Sequence, residues 1–307
     1  MSGGVSKRTI SSKIWADWGG GSKKQGLVSL IGRPTYMMNY LRRRTVRIVA
    51  VTAADETKQP WEEFFRGYFD SGTKVLQGPI DNAALASAPS TDVKIPSTID
   101  GVNVEVIGNR LFNNNTAITG VTIPNTVQRI DTGSAHGGFY GCTSMTSLTF
   151  VGGSNMTVIG YDAFNGCSAL LSVAIPDSVT EIEGAAFHDC TSMSVILFGN
   201  GVVTIGNGAF TNCTILTFIT FPGSVDDIGS NAFSDCTLLS KVHFLDSTPP
   251  TTLGPLIFDS TLVTKIYVGV LVPPGDAATF YNALVARPGG IPSSWPTDPI
   301  KYIDGPP

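Results

Sequence analysis

Seven phenylalanines set the hydrophobic pattern: Phe112, Phe139, Phe164, Phe187, Phe210, Phe233 and Phe258 follow at intervals of 27, 25, 23, 23, 23 and 25 residues. Other apolar positions keep fixed distances from them. Five residues before the Phe stands Ile107, Ile159, Ile182, Ile205 or Ile228. Six after it comes Ile118, Met145, Leu170, Met193, Leu216 or Leu239, and nine after it Val121, Leu148, Val173, Ile196, Ile219 or Val242. Eleven after it comes Ile123, Phe150, Ile175, Phe198, Phe221 or Phe244. The last two positions are two apart, which is strand periodicity, so the residues beside the inner one face solvent. Pro96, Pro124, Pro176 and Pro222 close the turns. Each unit therefore predicts a short strand, a corner, a second extended piece ending in Ile-Gly, and an Ala-Phe-x-x-Cys turn. Gly108, Gly160, Gly206 and Gly229 read as corner residues that need backbone freedom. A unit this small cannot bury its own apolar face, and stacked copies bury a continuous core, so the middle of the chain is a solenoid.

The repeat Ile-Pro-x-x-Val-x-x-Ile-Gly-x-x-Ala-Phe-x-x-Cys-x-x-Leu-x-x-Ile-x-Phe resembles the BspA-type leucine-rich repeat. Its sharpest copies are Val179 to Phe198, Val203 to Phe221 and Val225 to Phe244. The tail Ile266-Tyr267-Val268, Pro273-Pro274-Gly275-Asp276 and Phe280-Tyr281 resembles the terminal cap of such arrays. The resemblance runs from about Val93 to about Ile303 and implies a parallel-stranded solenoid that binds proteins or surfaces, without shared catalytic residues. The expected fold is thus mainly β, a leucine-rich-repeat-like parallel solenoid of about seven ~23-residue repeats with caps at both ends. The expected segments are a basic arm (1–44), an N-terminal cap and linker (45–92), the solenoid (93–268), and a C-terminal cap and tail (269–307). Two places break the repeat. Unit two has extra residues between Ile130 and Phe139, with His136 among them, and unit three opens with the longer Val151-Gly152-Gly153-Ser154. Both read as surface loops.

Ahead of the array, Arg47 to Ala53 reads as a strand. Thr57 to Phe69 reads as a short helix, with Glu62 and Glu63 near its start and an apolar stripe of Trp61, Phe64, Phe65 and Phe69 that covers the first coil. Gln77 to Ala88 reads as a linker. Residues 1–47 show no helical or strand period, and Gly19-Gly20-Gly21-Ser22 and Gly32-Arg33-Pro34 interrupt any regular element.

Charge is divided between the ends. Residues 1–47 carry ten Lys and Arg, among them Lys23, Lys24, Arg42, Arg43 and Arg44, against Asp17 alone, a net of +9. The whole chain is −4, which leaves −13 on the rest. Such asymmetry predicts a tail that meets something acidic. Nucleic acid is not the expected partner, since no recognition module accompanies the arginines. The residues Trp18 to Leu27 are similar over ten positions to Gly-rich, Lys-Lys-containing starts of structural proteins of large DNA viruses.

Catalysis finds no residues to carry it. His136, His188 and His243 occupy non-equivalent places in three units, and no phosphate loop or zinc spacing occurs. All five cysteines, Cys142, Cys167, Cys190, Cys213 and Cys236, belong to the repeat and read as a buried ladder of free thiols, without metal or cofactor. No apolar run approaches a membrane span, and with no apolar stretch after Lys7 and Arg8 the expectation is a chain without a secretory leader. The expectation is a non-enzymatic structural or interaction protein, anchored by its basic arm in a larger assembly. A minor capsid component of a virion is the first reading, which places the chain in a virion or the cytoplasm. An adhesion or intracellular protein-binding module of the BspA type is the alternative. The expected partner surface joins the arm residues to an outward apolar patch, Val195, Leu197 and Phe218, where earlier strands present Ser147, Thr149, Ser172 and Ala174.

Overall fold

The computed structural model describes residues 60–130, 136–246 and 249–263, together with the backbone of the strands Lys13–Ala16, Gly26–Ser29 and Lys265–Val268. The chain divides into two compact units, Met1–Lys58 and Gln59–Pro307. The division falls inside the segment expected as the N-terminal cap.

In the first unit, Lys13–Ala16 pairs antiparallel with Gly26–Ser29, Trp15 opposite Leu27. The chain turns back on itself here, where no strand was expected. Four-residue strands are too short to display a period of two, so pattern alone passes over them. The Gly-rich run 19–22 falls between them. The expected strand Arg47–Ala53 lies outside the described residues, as do Lys23, Lys24, Arg42, Arg43 and Arg44.

The second unit is the solenoid. Numbered by their phenylalanines, its coils run from one (Phe112) to seven (Phe258). Eight two-residue strands stack in parallel from Val75–Leu76 to Thr252–Leu253, one per turn of the chain, and the antiparallel strand Phe69–Asp70 closes the first edge. Across the core, the strands Asp92–Lys94, Gly120–Ile123, Ser147–Phe150, Ser172–Ala174, Val195–Leu197, Phe218–Phe221, Lys241–Phe244 and Lys265–Val268 form a second series in three parallel blocks. A third track runs through the Phe turns, where the amide of Phe187 donates to Ala209 of the next coil at 2.7 Å and that of Phe210 to Ala232 at 2.8 Å.

The phenylalanines form one buried column. From Phe139 to Phe233 successive ring centroids lie 5.2 Å apart and the planes are within 11° of parallel. The cap closes this column. A helix over Pro60–Phe65 buries Trp61 and Phe65, and Phe65 meets Phe112 edge-to-face at 6.1 Å. The expected linker 77–88 is instead packed structure. Ile80 and Leu85 are buried, and the Asp81 carboxylate accepts the Ala84 amide at 2.7 Å to start a one-turn helix, Asn82–Leu85. Composition hides this element, because a single capped turn is shorter than any helical period.

The glycines after isoleucine serve another purpose than expected. Gly108, Gly206 and Gly229 have no positive φ. A side-chain carbon there would stand 2.7 Å from the Leu76 carbonyl, 2.6 Å from the Gly184 nitrogen and 2.6 Å from the Asn207 nitrogen. Close stacking of coil on coil requires them, not conformational freedom. Left-handed backbone occurs elsewhere, two residues either side of the Phe. Asn114, Gly141, Gly166, Asp189, Asn212, Asp235 and Ser260 follow it with φ between 56° and 74°. Arg110, Asp162, Ala185, Gly208, Asn231 and Leu256 precede it with φ between 52° and 62°. Asn, Asp and Gly dominate these places because they tolerate that conformation best.

Candidate interaction surface

The thiols are structural. Each lies in the core and donates to the carbonyl of the Phe one coil back: Cys142 to Phe112 at 3.2 Å, Cys167 to Phe139, Cys190 to Phe164, Cys213 to Phe187, and Cys236 to Phe210. Burial pushes the Cys142 thiol up to about 12 and also raises Cys167 and Cys190, while Cys213 is raised first by its hydrogen bond with Cys236 and then by burial, so the nucleophilic thiolate is absent at neutral pH. Coil one has Asn115 at this place, and its amide donates to the Ile80 carbonyl at 3.0 Å, stitching cap to array. The Phe-x-x-Cys spacing carried the burial of the sulfur, but its acceptor lies in another coil and leaves no mark in the spacing.

The histidines stay apart. His136 packs on Tyr140 with ring centroids 4.4 Å apart, and His188 Nδ1 lies 3.1 Å from the Asp189 carboxylate. His243 is half-buried on the outer strand of coil six, where desolvation lowers its pKa. Among the described residues no three His, Cys, Asp or Glu converge as metal ligands. The longer loop Val151–Gly153 is exposed at the surface.

What the outer strands present is a surface. Leu148, Val173, Ile196, Ile219 and Val242 are buried, while Ser147, Thr149, Ser172 and Ala174 beside them are exposed. On coil four the outward pair is apolar, Val195 at 45% and Leu197 at 61% exposed. On coil five Phe218 and Thr220 are half-buried, as are Lys241 and His243 on coil six. The register Phe218–Lys241–Lys265 also aligns three residues outside the strands, Ile215, Leu238 and Leu262, all exposed. They lie outside the strands, so the alternation of strand flanks does not point to them. Setting the units on their Phe shows the signal: Ile215 and Leu238 take the position that Ala117, Ser144, Ala169 and Ser192 hold in earlier coils.

The model of the BspA type leucine rich repeat region matches this chain in six copies, over residues 79–171 and 135–265. The chain belongs to this family. Its repeats are typically non-enzymatic binding units. A leucine rich cell surface protein from Faecalibacterium prausnitzii is 32% identical, with a TM-score of 0.52, over 59% of this chain and 48% of its own. A leucine-rich repeat protein from Bacteroides ovatus is 24% identical, with a TM-score of 0.49, over 65% of this chain and 47% of its own. The BspA-type chain thus spans about half the length of either structure. No curated protein matches it. Among the described residues no helix is long and apolar enough to cross a membrane.

Proposed function

We propose that this BspA-type solenoid is a non-enzymatic adhesion or protein-binding module whose contact face is centred on Val195 and Leu197 of coil four, with Phe218 at its edge. The observation that carries the reading is the exposure of Val195 and Leu197, at 45% and 61%, in a strand series whose other exposed outward side chains are small or polar. Contiguous apolar surface of this kind marks interaction sites. The relative described as a cell surface protein supports adhesion over the capsid reading, which draws only on the basic segment and its ten-residue similarity. Lys23, Lys24 and Arg42 to Arg44 are assigned the second role, holding the chain to an acidic neighbour in an assembly.

A photo-crosslinking residue placed at 197 tests the face, with the same residue at 149 as the control. Adducts with a protein partner at 197 and none at 149 are expected. Equal yields at both, or none at 197, refute the reading. Val195→Ser with Leu197→Ser should weaken partner binding without lowering the melting temperature, because both side chains are already in water.

A further inference from the structure

An asparagine followed by glycine occurs at Asn165-Gly166, Asn200-Gly201 and Asn207-Gly208. The pair has its own chemistry. With no side chain on the glycine to shield it, the glycine amide nitrogen can reach the asparagine side-chain carbonyl carbon and displace ammonia. The three pairs share that chemistry, and the fold sets them apart.

Two of them are held by the next coil. The Gly166 amide donates to the His188 carbonyl at 2.8 Å, and the Asn165 side-chain amide donates to the Asp162 carboxylate at 2.7 Å. The Gly208 amide donates to the Ser230 carbonyl at 2.8 Å, and the Asn207 side-chain oxygen accepts the Ser230 amide at 2.8 Å. In both, the attacking nitrogen and the side chain under attack are engaged.

Asn200-Gly201 is built differently. It forms the corner after the outer strand of coil four, where the Val202 amide donates to the Gly199 carbonyl at 3.3 Å and closes a turn over the pair. The Asn200 backbone amide donates to the Asp177 carboxylate at 2.8 Å, which anchors the corner on coil three. Its side chain is exposed. Among the described residues, neither that side chain nor the Gly201 amide has a hydrogen-bond partner. Packing also fixes the glycine, since a side-chain carbon at Gly201 would stand 2.0 Å from the Asp177 carbonyl. The neighbouring corners have Ser178 and Ser224 at this place.

We propose that Asn200-Gly201 is a self-modification site, at which the folded chain deamidates to aspartate and isoaspartate while Asn165 and Asn207 are protected. The Gly201 nitrogen gives its proton to solvent base and bonds to the Asn200 Cγ. The Cγ–Nδ2 bond breaks, and Nδ2 leaves as ammonia with a proton from water. The resulting succinimide takes up one water. Opening at Cγ leaves aspartate, and opening at the main-chain carbonyl leaves isoaspartate, whose backbone runs through Cβ and Cγ. Water is the co-reactant, and nothing is oxidised or reduced. The new carboxylate arises next to Asp177 and three residues after Leu197, so it adds negative charge at the edge of the exposed apolar pair.

The full chain is incubated at mildly alkaline pH, digested with pepsin in acid, and mapped by mass spectrometry, with isoaspartyl methylation as a second readout. Breaking the hydrogen bonds that hold the other two pairs requires local opening, so position 200 is expected to convert about tenfold faster or more than 165 and 207. In urea the three rates should converge, because only the fold separates them. Hydrogen exchange should find the Gly201 amide fast and those of Gly166 and Gly208 slow. Equal rates in the folded chain, a preference for 200 that persists unchanged in urea, or a protected Gly201 amide overturns the proposal.

Discussion

At the residue scale, burial decides what each recurring place of the repeat contributes to stability. Phe210 is fully buried between Phe187 and Phe233 at 5.2 Å on either side. Phe210→Ala is expected to cost about 3–5 kcal/mol, read from chemical unfolding. The left-handed position before the Phe offers the opposite sign. Ala185 has φ 52°, which costs a residue with a side chain about 1–2 kcal/mol and glycine almost nothing. Ala185→Gly should therefore stabilise by up to about 1 kcal/mol once the unfolded-state entropy of glycine is subtracted. Thiol ionisation gives a pH dependence. Cys142 titrates near 9.0 when free and at about 12 in the fold, so the folded chain keeps a proton that the unfolded chain releases between those values. Its contribution is complete below pH 9 and falls by about 1.4 kcal/mol per pH unit above it. Melting temperatures at pH 7, 9 and 10.5 should drop steeply at the last step, and Cys142→Ala should lessen that drop.

Among the elements, the N-terminal cap decides whether the first coil is sealed. Its helix does so with Phe65 against Phe112, and the Asn82–Leu85 turn is tied down by the Asp81 cap, by Asn115 reaching the Ile80 carbonyl and by the Asn82 side chain bonded to Thr116. Asn115→Ala leaves that buried carbonyl short of a donor, at about 1–3 kcal/mol. Hydrogen exchange should then quicken at the amides of Ile80 and Leu85 and stay slow in coils four and five, since solenoid coils interact only with their neighbours. Uniform quickening along the array would contradict this. Between coils, hydroxyls extend the backbone ladders: Thr214 donates to the Thr191 carbonyl at 3.2 Å and Thr237 to that of Thr214 at 3.3 Å. The corner before each strand thus uses its side chains to satisfy carbonyls of the coil behind.

For the whole molecule, the division after Lys58 separates the basic segment from the solenoid. Deleting residues 1–44 is expected to leave thermal unfolding of the solenoid nearly unchanged in calorimetry while abolishing attachment to an assembly. A loss comparable to that of Phe210→Ala would assign the segment to the core instead. Nearest-neighbour coupling adds a second expectation. Phe187→Ala, in the middle of the column, should broaden or split the unfolding transition, whereas Phe258→Ala should fray only the last coils.

The amino-acid sequence by itself determined what repeats: the coil length, the inward and outward sides of each strand, the Phe column, and the burial of every cysteine. It could do so because a solenoid superimposes equivalent residues, so a one-dimensional period states which side chains stack. Only the tertiary structure decided which atoms bond between stacked coils. The acceptor of each thiol, the backbone that excludes a side chain at Gly206, and the alignment of Leu238 with Leu262 despite a one-residue shift relative to the Phe all depend on the packing distance from one coil to the next. The cap turn at Asn82–Leu85 and the pairing of Lys13–Ala16 with Gly26–Ser29 were equally hidden. Each is shorter than any period and arises from single contacts that no repetition announces.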